Sequence, residues 1–266
     1  MKHLQELVSF GLLLALILSA CAPLQEVPAQ PTPPAPTEKP EVPKAEYFQF
    51  TGKEAYITNP QASAEAVRAA AASNNRFALA LYQHLADTDG NLFYSPYSIY
   101  TALMMTYAGA AGMTAEQMKQ ALAVELPDSE IHAALNTLNL KLGQDSEFNG
   151  KPAFAFNVAN QLWGQKGFVL SEQFLNTLSA YYNADLKAVD FADSENARAL
   201  INLWVAAQTN DRIKDLIPAG VLNALTRLVL TNAVYFKAAW MNQFDPALTS
   251  QGAFSLPDGS SAEVPM

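Results

Sequence analysis

Acid–base, nucleophilic or metal chemistry in this chain would have to come from three histidines, at positions 3, 84 and 132, and one thiol, Cys21. His84 follows Phe77 by seven residues, at the edge of an apolar stripe. No nucleophile motif stands near it, so a partly buried, hydrogen-bonded side chain is expected there rather than a general base. His132 shares the polar side of its helix with Asn136 and Asn139 and is expected in solvent. Asp185, Asp190 and Asp193 scatter between a strand and a helix cap, without metal-ligand spacing. There is no G-x-S-x-G elbow, H-E-x-x-H pair, phosphate loop or acidic calcium loop. Gly109-Ala-Ala-Gly112 follows a helix rather than a strand, which is not how a dinucleotide fingerprint is placed. Trp163, Trp204 and Trp240 fall in apolar runs and read as core. No catalytic residue, metal site or cofactor is expected, and the chain does not read as an enzyme.

Cys21 has a chemistry of its own. Lys2 precedes an apolar run from Phe10 to Ile17, and small residues Ser19 and Ala20 follow, which is the layout of a secretory signal too short to span a membrane. Leu18-Ser19-Ala20-Cys21 resembles a bacterial lipobox, in which the thiol takes a diacylglyceryl group and cleavage leaves the cysteine at the N-terminus. Several acyl chains on one residue anchor a protein stably where a single chain does not. Residues 22–43 hold 8 of the 16 prolines, a composition for an extended polyproline-type spacer. The expected organisation is a signal over 1–21, a tether over 22–60 and a domain over 61–266. The product is expected outside the cytoplasm, lipid-anchored through Cys21 at the periplasmic or extracellular face of the cell envelope.

The domain must supply the rest. With 16 Lys+Arg against 25 Asp+Glu the net charge is −9, and the pI of about 4.8 argues against nucleic acid or anionic lipid as the main partner. Phe77, Ala78, Leu81, Tyr82 and Leu85 make one stripe of an amphipathic helix after an alanine-rich stretch. Residues Ser98–Tyr107 are apolar all round and predict a buried helix. Thr114 and Gln117 are spaced as a capping box for a third helix, and Ile131, Leu135, Leu138 and Leu142 mark a fourth. Phe154–Asn160 alternates like a strand that runs on to Trp163. A helix over Ser171–Tyr182, an alternating strand from Leu186 to Phe191 and a helix capped by Asp193 or Ser194 follow. Arg227–Phe236 is a near-continuous apolar run, as in a strand covered on both faces. Leu256-Pro-Asp-Gly259 predicts a turn, and the returning arm that ends at Met266 suggests that the chain continues.

Several segments, in order, resemble the serpin family. They are Asn74-x-x-Phe77-Ala78 with Leu81 and Leu85; Asn91 with Ser95-Pro96-x-Ser98-Ile99; and Gly109-Ala110-x-Gly112-x-Thr114. Ile201-Asn202-x-Trp204-Val205 with Thr209 comes next, then Leu228-x-Leu230-x-Asn232-Ala233-x-Tyr235-Phe236 with Trp240. Asp211 and Ala108 depart from the family pattern. The resemblance implies an α+β fold, a multi-helix domain packed on large mixed or antiparallel sheets and incomplete at its C-terminus. It implies a serine-type (or cysteine) protease inhibitor whose cleaved reactive loop inserts as a strand into the large sheet. Ser95, Ser98 and Asn232 then match a hydrogen-bonding shutter beneath the sheet, and Asn202, Trp204 and Thr209 belong to the helix that covers it. The reactive bond is expected beyond Met266, so residues 1–266 should not inhibit alone. The partners implied are a target protease and, through Cys21, a membrane, with no nucleic acid. A non-inhibitory serpin-like binding lipoprotein and an inactive fragment remain the alternatives.

Overall fold

Ser63 accepts a hydrogen bond from the Ala66 N–H at 3.0 Å and starts a single helix of 22 residues, so the alanine-rich stretch and the Phe77–Leu85 stripe are one element. The computed structural model describes residues 48–87, 90–142, 147–148, 151–152, 154–238, 240 and 242–266. The signal and most of the tether, including Cys21, lie outside the described residues. In chain order the elements are β1 (Phe48–Phe50), α1 (Ala64–Leu85), α2 (Pro96–Tyr107), α3 (Gly112–Ala121) and α4 (Asp128–Leu142). Then come β2 (Glu147–Phe148), β3 (Lys151–Pro152), β4 (Phe154–Gln165), α5 (Glu172–Tyr182), β5 (Leu186–Val189), α6 (Ser194–Gln208), β6 (Leu228–Ala238), β7 (Gln251–Ser255) and β8 (Ser261–Pro265). The described residues divide into two units, one drawn from residues 48–142 and 157–235, the other from 147–156 and 236–266.

In the first unit β1, β5, β4 and β6 form one sheet in that order. β5 runs parallel to β4, with Leu186 opposite Leu162 and Lys187 opposite Trp163, and α5 makes the crossover that a parallel pair requires. Strand alternation then sends successive residues to opposite faces. Trp163, Val189 and Val229 pack with Ile201, Trp204 and Val205 of α6. Leu162 and Leu186, joined by Leu228 and Leu230, pack with Met105 of α2 and Phe174 and Leu178 of α5. A separate cluster buries Ala70, Tyr100, Met104, Ile131 and Leu135 among α1, α2 and α4. The fold is α+β, as expected.

Four details differ from the expectations. β1 pairs antiparallel with β5, Phe48 opposite Ala188, so folded structure begins before residue 61. Beyond β1, Gly52 N–H donates to Ser179 Oγ at 2.9 Å and Lys53 N–H to Asn176 Oδ1 at 2.7 Å, both on α5. Second, the capping box at Thr114 does not form: the helix starts three residues earlier, at Gly112 (φ 55°), with no side-chain cap at Ala111. Third, β5 does not alternate, because all four of its residues are buried. Fourth, β6 is fully buried only at Val229, Thr231 and Ala233, and is half-buried on its other face until Phe236, where it becomes exposed.

In the second unit β2 pairs with β3 and β7 with β8, both antiparallel. The β7–β8 turn closes with Gly259 N–H donating to Leu256 O at 3.0 Å, and Gly259 takes φ 82°, which glycine adopts without strain. Trp240, expected in the core, is exposed beyond the end of β6 with its ring edge-on to Phe244.

The Gly52 contact tests where the domain begins. A Cβ there would lie 2.4 Å from the Leu175 carbonyl oxygen, which a helix backbone cannot vacate. Gly52→Ala is expected to destabilise the domain by about 1–3 kcal/mol in urea denaturation, the usual cost of forced overpacking; no change in midpoint would detach the segment from the fold.

Candidate functional site

α2 begins with Ser95 in extended conformation, Pro96 in the first turn and the Ser98 N–H donating to Ser95 Oγ at 3.4 Å. Proline suits that position because its missing N–H would have no helical partner. The turn aims Ser98, which is fully buried, at the sheet. Its Oγ lies 3.0 Å from Asn232 Oδ1 on β6 and 3.1 Å from the Ser95 carbonyl. One hydroxyl proton therefore has two acceptors. Asn232 Nδ2 donates in turn to Asn160 Oδ1 on β4. Ser98 and Asn232, singled out from the sequence, are thus in direct contact, and Ser95 joins them as cap and acceptor. Asn160 was missed, although the alternation of β4 places it on the face of Leu162, toward α2.

The opposite face carries a second set. Trp163 Nε1 donates to Thr231 Oγ1 at 3.1 Å, and the Trp163 and Trp204 rings meet edge to face at 5.7 Å between centroids. Asn202, also buried, holds the backbone of Ile217 in both directions: its Nδ2 donates to Ile217 O at 2.9 Å, and Ile217 N–H donates to its Oδ1 at 2.8 Å. Thr209 Oγ1 donates to Val205 O at 2.8 Å and accepts from Ile213 N–H at 3.1 Å. Asn202 and Thr209 thus bind α6 to the segment that follows it, while Trp204 and its apolar neighbours bind it to the sheet.

A cavity of about 390 Å³ lies beside these strands, lined in part by Asn160, Gln161, Tyr181, Asp185, Lys187 and Gln208. Lys187, which stands in a strand yet is buried, donates from Nζ to Asp185 Oδ1 and to Gln161 Oε1, each at 2.9 Å. Gln161 Nε2 donates to Asp185 O at 3.0 Å and to Asp185 Oδ1 at 3.1 Å. A buried ammonium needs such partners, since burial of an unpaired charge is far costlier than burial of a paired one. The other two aspartates are structural: Asp190 accepts from Gln165 and from the Ala192 N–H, which hold its carboxyl below the usual carboxylate range, and Asp193 caps α6.

Both histidine expectations are overturned. His84 is exposed in the last turn of α1. His132 is only 8% exposed, because Tyr107, Tyr181 and Tyr182 surround its ring, and its Nδ1 lies 2.6 Å from Tyr182 Oη. The side of α4 that looked polar is an inner side: Asn136 accepts from Tyr56 Oη at 2.9 Å and donates to Ile57 O at 2.7 Å. Burial pushes the His132 imidazole down to about 4, against an opposing pull from Asp128.

The serpin (serine protease inhibitor) family matches residues 72–266, and the chain belongs to that family. It is 42% identical over 193 residues to an uncharacterized serpin-like protein of Thermococcus kodakarensis, covering 72% of this chain and 44% of that one. It is 37% identical to Antithrombin-III of Mus musculus over 78% of this chain and 45% of the relative. A Leukocyte elastase inhibitor of Bos taurus is 39% identical over 70% of this chain and 48% of its own length. The chain thus spans about half the length of the relatives it matches. A solved structure titled Cleaved Serpin 42Da superposes with a TM-score of 0.65 at 33% identity, covering 76% of this chain and 53% of that one.

Two measurements follow from this geometry. Asn232→Ala removes one of the two acceptors of the Ser98 hydroxyl and the donor to Asn160 Oδ1, and is expected to lower stability by about 1–3 kcal/mol, as is Ser98→Ala, with the double variant costing less than the sum of the two. Additive losses in denaturant titrations would show that the two residues are not coupled. For His132 the folded group holds its proton less tightly than the unfolded one at 6.5, so the unfolded state binds more protons between pH 6.5 and about 4. Stability from this group is full above pH 6.5 and falls by roughly 3 kcal/mol as pH drops to about 4. His132→Gln is expected to flatten that part of the profile relative to wild type; an unchanged difference between pH 7 and pH 4.5 would show that His132 is not buried as a neutral ring.

Proposed function

We propose that the protein to which these residues belong inhibits serine-type (or cysteine) proteases as a suicide substrate, while tethered to the cell envelope through a lipidated Cys21. The observation that carries the reading is β6. Among the described residues it ends the four-stranded sheet, and it is fixed to α2 through Asn232 and Ser98. A strand that closes a sheet on one side and is pinned from beneath is what a cleaved loop needs as a template, because strand addition draws its stabilisation from an unpaired row of backbone groups. α6 and the Asn202–Ile217 clasp then form the cover that must shift while the loop enters. Ser95, Ser98 and Asn232 act as the shutter in this reading, and Asn202, Trp204 and Thr209 belong to the cover. The family's own description and the relatives' names support the protease as partner. The Leu18–Cys21 pattern and the proline-rich spacer support the tether, and with it a location outside the cytoplasmic membrane.

The test is incubation of the protein isolated from its native host with a panel of trypsin-, chymotrypsin-, subtilisin- and papain-type proteases. The expected result is an adduct that survives denaturing electrophoresis, with the summed mass of inhibitor fragment and protease and a matching loss of protease activity. Cleavage of the protein with the protease left active and no adduct sinks the inhibitory reading. Residues 1–266 alone are expected to form no adduct with any of these proteases.

A further inference from the structure

We infer that one end of the four-stranded sheet is a membrane-facing surface, which the tethered domain lays on anionic phospholipid headgroups; the inference rests on the reading of Cys21 as a lipid anchor. Four strand ends converge there. Gln165, the last residue of β4, donates its N–H to Arg227 O just before β6, and Lys166 donates to Val189 O at the end of β5. Phe48, which opens β1, stands opposite Ala188. This end exposes large apolar side chains: Phe48 at 60%, Phe168 at 52%, Val169 at 98%, and Leu225, in the turn before β6, at 79%. Gly167, at φ 87°, turns the chain so that Phe168 and Val169 lead the loop.

Two cations sit among them. The Lys166 ammonium lies 5.0 Å from the centre of the Phe48 ring, and the Arg227 guanidinium 5.6 Å from that of Phe168. Asp190 shares the rim, but its carboxylate is occupied by Gln165 and by the Ala192 N–H. Apolar side chains flanked by long cationic ones are what the boundary between headgroups and acyl chains accepts: rings and methyls enter it, and the charges reach phosphate. The chain as a whole is acidic, and at this end the two cations flank the exposed rings of Phe48 and Phe168.

The sequence outside the described residues supplies the occupant. The tether joins the domain at Phe48, within this face, and only 26 residues separate Cys21 from that strand. At the polyproline rise the tether keeps the domain within about 80 Å of the bilayer even when fully extended. Contact is then intramolecular, and a face too weak to hold a free protein is enough to orient a tethered one. Each cation is worth roughly fivefold in the docked fraction, and the pair ~30-fold.

The experiment uses the acylated full-length chain carrying Val169→Cys, labelled with an environment-sensitive dye, in phosphatidylcholine vesicles with and without phosphatidylglycerol. The acylated Cys21 thiol takes no label. The expected result is a blue-shifted emission, quenched by bromolipid, on the phosphatidylglycerol vesicles and much weaker on phosphatidylcholine alone. It should be lost in a Lys166→Glu, Arg227→Gln chain, and reduced in Phe168→Ser, which leaves every charge in place. A dye that reports water on both vesicles, or a shift that neither variant reduces, overturns the inference. A shift in solution that grows with protein concentration marks contact between copies and overturns it too. Failure of the tether is read separately: the mass at Cys21 shows no acyl group. The chain with residues 1–21 replaced by a hexahistidine tag is then held on vesicles by a nickel-chelating lipid: a dye that shifts on phosphatidylglycerol and not on phosphatidylcholine keeps the face, and a dye that reports water on both overturns it.

Discussion

A side-chain amide held beneath a sheet needs a partner for both its carbonyl and its amino group, and the half-buried Asn232 finds them only when α2, β4 and β6 are all in place. Its Oδ1 takes the Ser98 hydroxyl from α2, and its Nδ2 reaches Asn160 on β4. The Ser95 cap fixes where α2 starts, and the start of α2 fixes where Ser98 points. A shift of β6 by one residue would bring Thr231 or Ala233 to face α2 and send Asn232 toward Trp163 and α6, with no amide opposite it there. The polar contact is modest in energy, but it specifies the register that the apolar residues alone leave open.

The two faces of the sheet resist disturbance in different ways. Toward α2 and α5 the attachment includes directional side-chain hydrogen bonds, which are costly when half-made. Toward α6 it is a stack of Trp163, Trp204, Val205, Ile201 and Val229, whose contacts weaken gradually with displacement. The Asn202 and Thr209 bonds run to the segment at 213–217 rather than across to a strand. α6 and that segment are therefore built to travel together. In the inhibitory reading proposed above, the α6 side would yield to an entering strand through its apolar contacts.

Local signals were legible where the partner is near in sequence. Ser95 before Pro96, Asp193 before α6 and the Leu256–Gly259 turn each announce themselves within four residues, and the alternation from Phe154 gave β4. What stayed hidden has a remote partner. His132, Asn136 and Asn139 line one side of α4 and read as a wet face. Yet Tyr56, more than seventy residues earlier, and Tyr182, fifty residues later, cover the first two. Lys187 in an apolar strand is legible only once Gln161 on the parallel neighbour is known to lie within reach of its ammonium. β1 lies too close to a proline-rich tract to be recognised, and its three residues gain meaning from the edge of β5.

The shared proton of Ser98 bears on the mechanism. Ser98 lies within hydrogen-bonding reach of both the Ser95 carbonyl and Asn232 Oδ1, at distances that differ by only 0.1 Å (3.1 against 3.0 Å). Rotation about one bond can release Asn232 without leaving the buried hydroxyl unpaired, so the large penalty for an orphaned polar group falls on the asparagine amide alone. Asn160 remains bonded to that amide. In the inhibitory reading proposed above, a strand entering beside β6 would pair with its backbone, and the Ser98 hydroxyl would keep the Ser95 carbonyl if Asn232 moved. That second acceptor follows from a serine that caps a helix three residues before a second serine.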